Sequence, residues 1–278
     1  MRIWIFEGMY LEQFDRNADG SINRIKPEIL KNLQHFLSRA KKNKINIYLT
    51  FLDGNAFNGI INETDYADFW WSTFNIAEPY QNNFYVKAIE PVYALINKDF
   101  KSVVTHIDIV NEVNALVNLN LIGQQKDSLK KFLCNMAQNS PAPFTASLGW
   151  LNAEEVFLSG LLKDSCLDFY DIHFYNDSGV IPHCEELKAI SQKGTKLFLG
   201  EFGQSNYAFD DQLQNEITKK FLTNAHNCGF FGAMPWRLED IRPGFNPEAR
   251  FSYVAFGKHR PAFKVFKKFS PPKKNESF

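Results

Sequence analysis

Val103-Val104-Thr105-His106-Ile107-Asp108-Ile109-Val110-Asn111-Glu112 is a β-rich run that ends on a carboxylate. A second run, Leu197-Phe198-Leu199-Gly200-Glu201-Phe202-Gly203, does the same. Runs that are apolar on both faces, such as 45–52 and 103–110, suit a parallel sheet covered on both sides. Further β-rich runs fall at 2–6, 143–148, 167–174, 196–199 and 230–236.

Between these runs lie stretches with apolar residues at helical spacing. Ile29, Leu33, Phe36, Leu37 and Ala40 share one face; so do Leu129, Phe132, Leu133 and Met136, and likewise Ile217, Phe221, Leu222 and Ala225. Gly194 and Gly229 read as helix stops before the next strand. Strand–helix alternation requires parallel strands joined by crossover helices. The pattern predicts an α/β fold of the (β/α)8 TIM-barrel type, with seven strand–helix units visible and the first strand lacking. The long segment 63–100 is expected to hold two helices with Pro79 between them. Residues 1–269 read as a single barrel domain, incomplete at the N-terminus, and 270–278 as a frayed basic tail.

The chain has 278 residues, a size that one α/β barrel fills. Hydrophobic residues make up 45% and charged residues 22%, which excludes a disordered chain. Lys+Arg and Asp+Glu are equal at 31 each, so a dedicated nucleic-acid binder is not expected. No apolar run is long enough to span a membrane. The first ten residues are interrupted by Glu7 and lack a small-residue cleavage site, so they do not read as a signal peptide. Compartment stays open. The 27 Phe, 10 Tyr and 5 Trp are an excess that fills a core or lines a ligand cleft. Cys134, Cys166, Cys184 and Cys228 show no metal-site spacing and read as plain buried or free thiols.

Several chemistries lose support. No GxG, GxxxxGK[ST], GxSxG, HxH or HExxH occurs. Asp15-Arg16-Asn17-Ala18-Asp19-Gly20-Ser21-Ile22 matches the start of a calcium loop, but Lys26 stands where a bidentate Glu belongs. A polar turn is the expectation there, with a weak calcium site as the alternative. No metal and no cofactor is expected.

The C-terminal ends of barrel strands are where chemistry sits. Asn-Glu occurs four times, and only Asn111-Glu112 follows a buried-strand pattern. Glu112 and Glu201, on two strand ends, suit glycoside hydrolysis, with one carboxyl as acid/base and the other as nucleophile. His173 and Tyr175 are two residues apart and so share a face. Tyr175 can donate to a nucleophile carboxylate, and His173 can hold the acid/base. Trp236 and, more weakly, Trp150 are platforms for a sugar face, while Trp70 and Trp71 lie in helical sequence and read as packing.

With these residues in place, the sequence resembles clan A of the glycoside hydrolases, particularly family 5, the cellulases and mannanases. The resemblance runs from Arg2 to about Phe269. It implies a (β/α)8 barrel in which Glu112 after Asn111 is the acid/base and Glu201 the nucleophile. It implies that Arg2 lies beneath the nucleophile, that His173 and Tyr175 form the His-x-Tyr of strand six, and that Trp236 ends strand eight. Arg260-Pro261-Ala262 matches the opening of the last helix. Where many relatives carry a His at the end of strand three, this chain has Leu52-Asp53-Gly54-Asn55. The resemblance implies a monomeric retaining hydrolase of β-linked glucan or mannan type oligo- or polysaccharides, with Asn111 on the sugar 2-hydroxyl. Relatives are mostly secreted, so an N-terminally truncated chain would be too. Two other readings stand beside it: a non-catalytic carbohydrate-binding relative, and a barrel lyase or isomerase using the same two Glu.

Overall fold

The computed structural model describes residues 1–6, 13–18, 21–55, 84–115, 126–149, 152–203, 210–238 and 251–269. Trp70, Trp71, Pro79, Trp150 and the tail 270–278 lie outside them. The chain divides into two compact units, Met1–Tyr170 and Asp171–Phe278.

In the first unit, β1 (Arg2–Trp4), β4 (Ile47–Asp53), β5 (Val104–Asn111) and β6 (Phe144–Thr145) form a sheet in that order. Every pairing in it is parallel. Each strand was expected from its β-rich run. The connections between parallel strands carry α1 (Pro27–Lys42), α2 (Glu90–Leu95) and α3 (Lys126–Ala137). A π-helical turn flanks α2 on either side, at Tyr85–Ile89 and Ile96–Phe100. Helix α1 buries Leu33, Leu37 and Ala40, and α3 buries Leu129, Phe132, Leu133 and Met136. These are the stripes set by the helical period.

The aromatic excess is core here. Phe6 packs against Phe14, Phe51 and Phe84 with ring centroids 5.1, 6.0 and 6.3 Å apart. Tilted and edge-on pairs of this kind add roughly 0.5–1.5 kcal/mol each beyond the area they bury.

Antiparallel strands β2 (Phe14–Arg16) and β3 (Ile22–Ile25) stand before α1. The calcium-loop lookalike spans the connection between them. Its Asp15 is paired with Arg24 at 2.6 Å, and Asn17 Nδ2 donates to Ser21 Oγ at 2.9 Å. Those side chains are used in holding the hairpin; Asp19 and Gly20 lie outside the described residues.

In the second unit the sheet order is β10 (Phe230–Pro235), β9 (Leu197–Gly203), β7 (Tyr170–Asp171), and β8 (Phe174–Tyr175) also pairs with β9. The run 167–174, expected as one strand, is two short ones. Helix α4 (Ala153–Leu158), still in the first unit, precedes β7; α5 (Cys184–Gln192) leads into β9, and α6 (Asp211–Asn227) links β9 to β10. Asp210 caps α6, its carboxylate accepting from Gln212 N and Leu213 N. An antiparallel pair, β11 (Val254–Ala255) and β12 (Lys258–His259), precedes α7 (Pro261–Lys268). Helix α7 opens on Pro261 after an extended Arg260, as its sequence implies.

The cysteine expectation is corrected. Cys134 is bonded to Cys166 and Cys184 to Cys228, with Cα–Cα distances of 5.0 and 4.9 Å. No cysteine is left free. The pairs are 32 and 44 residues apart in sequence, so no short spacing announces them. The fold makes them neighbours: Cys184 begins α5, and Cys228 directly follows α6.

Candidate active site

Register sets the cluster in the first unit. Thr50, Asp108 and Thr145 are partners across β4, β5 and β6, so they share one sheet face. Arg2 reaches that face from β1. Its Nε donates to Thr50 Oγ1 at 2.8 Å, and its Nη2 to Asp108 Oδ2 at 2.5 Å and Asn111 Oδ1 at 2.7 Å. The guanidinium lies 5.6 Å from the Trp4 ring and 5.3 Å from the Tyr48 ring. The Arg2 and Asp108 side chains are 6% and 0% exposed. Removing either partner would strand a buried charge at a cost of about 3–5 kcal/mol. Arg2 therefore fixes Asn111 through its carbonyl oxygen, leaving Nδ2 to face outward to Asp53 Oδ1 at 3.4 Å.

Glu112 follows Asn111 with φ +51°, a left-handed conformation that costs roughly 1–3 kcal/mol in a non-glycine residue. Ser147 Oγ accepts from Glu112 N at 3.0 Å and donates to Asp108 Oδ2 at 2.9 Å. The Glu112 carboxyl is half-buried, and its Oε2 accepts from Asn55 Nδ2 at 3.0 Å. It lies directly over Gly149: a Cβ there would sit 2.0 Å from Glu112 Oε1. Gly149 is itself held by Asn114, which donates from Nδ2 to its carbonyl (2.6 Å) and accepts its N–H (2.8 Å). Burial pushes the Asp53 carboxyl up to about 6, and the nearby Glu112 charge adds to the rise.

A separate cluster lies in the other unit. Glu201, on β9, is 5% exposed. Tyr175 Oη donates to Glu201 Oε2. His173 Nδ1 lies 3.6 Å from the same oxygen, and His173 Nε2 lies 3.7 Å from Asp171 Oδ1. Asp171, His173 and Tyr175 alternate along the chain and so point the same way. Gly200 leaves the space that the Asp171 carboxylate fills, since a Cβ there would stand 2.0 Å from Asp171 Oδ1. Trp236 follows β10, its N–H donating to Phe202 O at 2.8 Å. The ring is partly exposed, with the Arg237 guanidinium 5.3 Å from its centre.

The structure thus brings Arg2, Asn111 and Glu112 together in one unit, and His173, Tyr175 and Glu201 together in the other. Trp150 is outside the described residues. Within its own unit His173 stands against Glu201 and Asp171. Sequence reasoning passed over Asp53, Asn55, Asp108, Ser147, Asp171 and the two glycines. A charged residue inside an apolar run, as at Asp108, was the available signal. A cavity of about 290 Å³ opens at the other end of β4, around Met1, Phe36, Arg39 and Ile47, away from these carboxyls.

Parallel strands alternating with helices, with carboxylates near strand C-terminal ends, are the architecture of a TIM barrel, and the solved structures this chain resembles have that fold. The chain is similar to the β-mannanase of the blue mussel Mytilus edulis, with TM-score 0.61 and 15% identity, over 90% of this chain and 78% of the mussel protein. It is similar to the exo-β-1,4-mannosidase Op5Man5 of Opitutaceae bacterium strain TAV5, with TM-score 0.70 and 15% identity. That match covers 95% of this chain and 51% of the mannosidase, so the chain spans about half of it. A third is the hyperthermostable endo-1,4-β-D-mannanase of Thermotoga petrophila RKU-1, with TM-score 0.61, 16% identity and coverages of 96% and 89%. No family model matches the chain, and no curated protein matches it.

Proposed function

We propose that residues 1–269 act as one catalytic domain, a retaining glycoside hydrolase of β-linked mannan or glucan type saccharides. The observation that carries this reading is Glu201, a buried carboxylate at a strand end held by Tyr175 and His173. Glu112, at the end of β5 after an Arg2-fixed Asn111, supplies the second carboxyl.

The mechanism requires the two carboxyls to flank one glycosidic bond. Glu201 attacks the anomeric carbon while Glu112 gives its proton to the leaving oxygen, and the C–O bond to the leaving group breaks. Water then loses a proton to Glu112 and attacks the same carbon, releasing Glu201 and a sugar of unchanged configuration. Asn111 Nδ2 holds the 2-hydroxyl, and Trp236 stacks on a sugar face. Arg2 keeps the Asn111 amide from turning. The two disulfides favour an oxidising compartment.

A panel of β-mannan, β-glucan and xylan, assayed for new reducing ends, tests the substrate class. Glu201→Ala is expected to abolish turnover, and added azide to restore it as a glycosyl azide of inverted configuration. Wild-type rates in that variant would overturn the assignment.

A further inference from the structure

A second carboxyl stands beside Glu112, and no step above uses it. Asp53 Oδ1 accepts from Asn55 N at 3.1 Å and from Asn55 Nδ2 at 3.2 Å. The same Nδ2 donates to Glu112 Oε2 at 3.0 Å. One amide nitrogen therefore points its two hydrogens at two carboxyls, whose oxygens lie no farther apart than those bonds laid end to end. The turn between Asp53 and Asn55 is pressed against Glu112 itself. A Cβ on Gly54 would meet Glu112 O at 2.4 Å, so only glycine allows this approach. Asp53 is also paired in register with Asn111, and accepts from its Nδ2.

We infer that Asp53, acting through Asn55, is a positioning residue for Glu112, fixing its carboxyl and favouring its protonated form by charge. The inference rests on the acid/base role proposed above. Two carboxyls this close resist carrying charge together and titrate as a pair. Asp53 keeps some exposed surface, but its carboxyl is enclosed enough that burial is the largest cause of its rise to about 6. The repulsion is reciprocal, so an ionised Asp53 disfavours ionisation of Glu112 as well. The other charged groups at this face in the same unit are Arg2 from β1 and Asp108 from β5, which pair with each other.

The test compares the full chain with Asp53→Asn, Asn55→Ala and Glu112→Gln. Each is assayed for kcat/KM against pH on two aryl glycosides of the hydrolysed sugar. One carries a dinitrophenyl group, which leaves without a proton, and the other a methylphenyl group, which needs one. Asp53→Asn is expected to pull the alkaline limb for the poor leaving group down by about half to one pH unit. Its loss on that substrate above pH 7 should be about tenfold, with less than about threefold on the dinitrophenyl glycoside. Asn55→Ala is expected to act the same way, and it carries the test if Asp53→Asn does not fold. An unmoved limb, or equal losses on both substrates, overturns the inference. Glu112→Gln reports separately: a loss independent of leaving group overturns the acid role itself.

Discussion

Gly149→Ala isolates the packing that places Glu112. The added Cβ would lie 2.0 Å from Glu112 Oε1 and 2.3 Å from both Cδ and Cγ. Normal contact between such atoms is about 3.5 Å, so the overlap exceeds an ångström and involves the stem of the side chain. Neither backbone can give way easily. Gly149 is tied to Asn114 by bonds of 2.6 and 2.8 Å, and Glu112 N is tied to Ser147 Oγ at 3.0 Å. The carboxyl must rotate off its site. Overpacking of this kind costs about 1–3 kcal/mol. In a chain of this size that lowers Tm by very roughly 2–10 °C. Displacing a proton donor by an ångström costs about 10²-fold in rate. The assay is a double-mutant cycle on stability, with Glu112→Ala as the second change. That substitution removes Cγ, Cδ and both oxygens, so the new methyl then fills vacated space. Gly149→Ala is expected to destabilise the parent chain and to be neutral within about 0.5 kcal/mol in the Glu112→Ala background. Additive losses would refute the reasoning, because the clash would then lie elsewhere.

Three further outcomes follow from the same geometry. Gly200→Ala places a Cβ 2.0 Å from Asp171 Oδ1 inside a buried strand, so thermal melts should show about 1–3 kcal/mol of destabilisation; an unchanged Tm would count against the fit of Asp171. Tyr175→Phe removes the hydroxyl that donates to Glu201, a bond to a charged group worth about 1.5–3 kcal/mol, and kcat/KM should fall by about 10- to 100-fold with the fold intact by circular dichroism. Breaking either disulfide by a paired Cys→Ser change releases loops of 32 or 44 residues and should cost about 4 kcal/mol in the chain-entropy model. Thiol titration of the unfolded, unreduced chain should find no free thiol, and four would contradict the pairing.

Much of this arrangement is written in the sequence because burial leaves periodic marks. Six of the seven β-rich runs each hold one strand and the run 167–174 gives two, and the apolar stripes of α1, α3 and α6 supply the buried residues. Glu112 and Glu201 stood out as carboxylates closing apolar runs. What stayed hidden depends on pairing between distant segments. Strands β2 and β3 have three and four residues, too few for alternation to show. The disulfides join cysteines whose meeting is decided by helix packing. Asn55 drew notice only as part of the stretch where many relatives carry a His, and the register of β4 and β5 is what brings its amide to Glu112. The ring of His173 meets Glu201 and Asp171 through the fold of its own unit, which no local spacing shows.

The central claim is that Glu201 becomes covalently bonded to the sugar. Incubation with a 2-deoxy-2-fluoro-glycosyl fluoride of the hydrolysed sugar slows the second step more than the first and lets that bond accumulate. Peptide mass spectrometry is then expected to find one fluoroglycosyl adduct on the peptide carrying Glu201, absent from Glu201→Gln and retained in Tyr175→Phe. An adduct on another residue, or continued hydrolysis of the natural substrate by Glu201→Gln, would contradict the account.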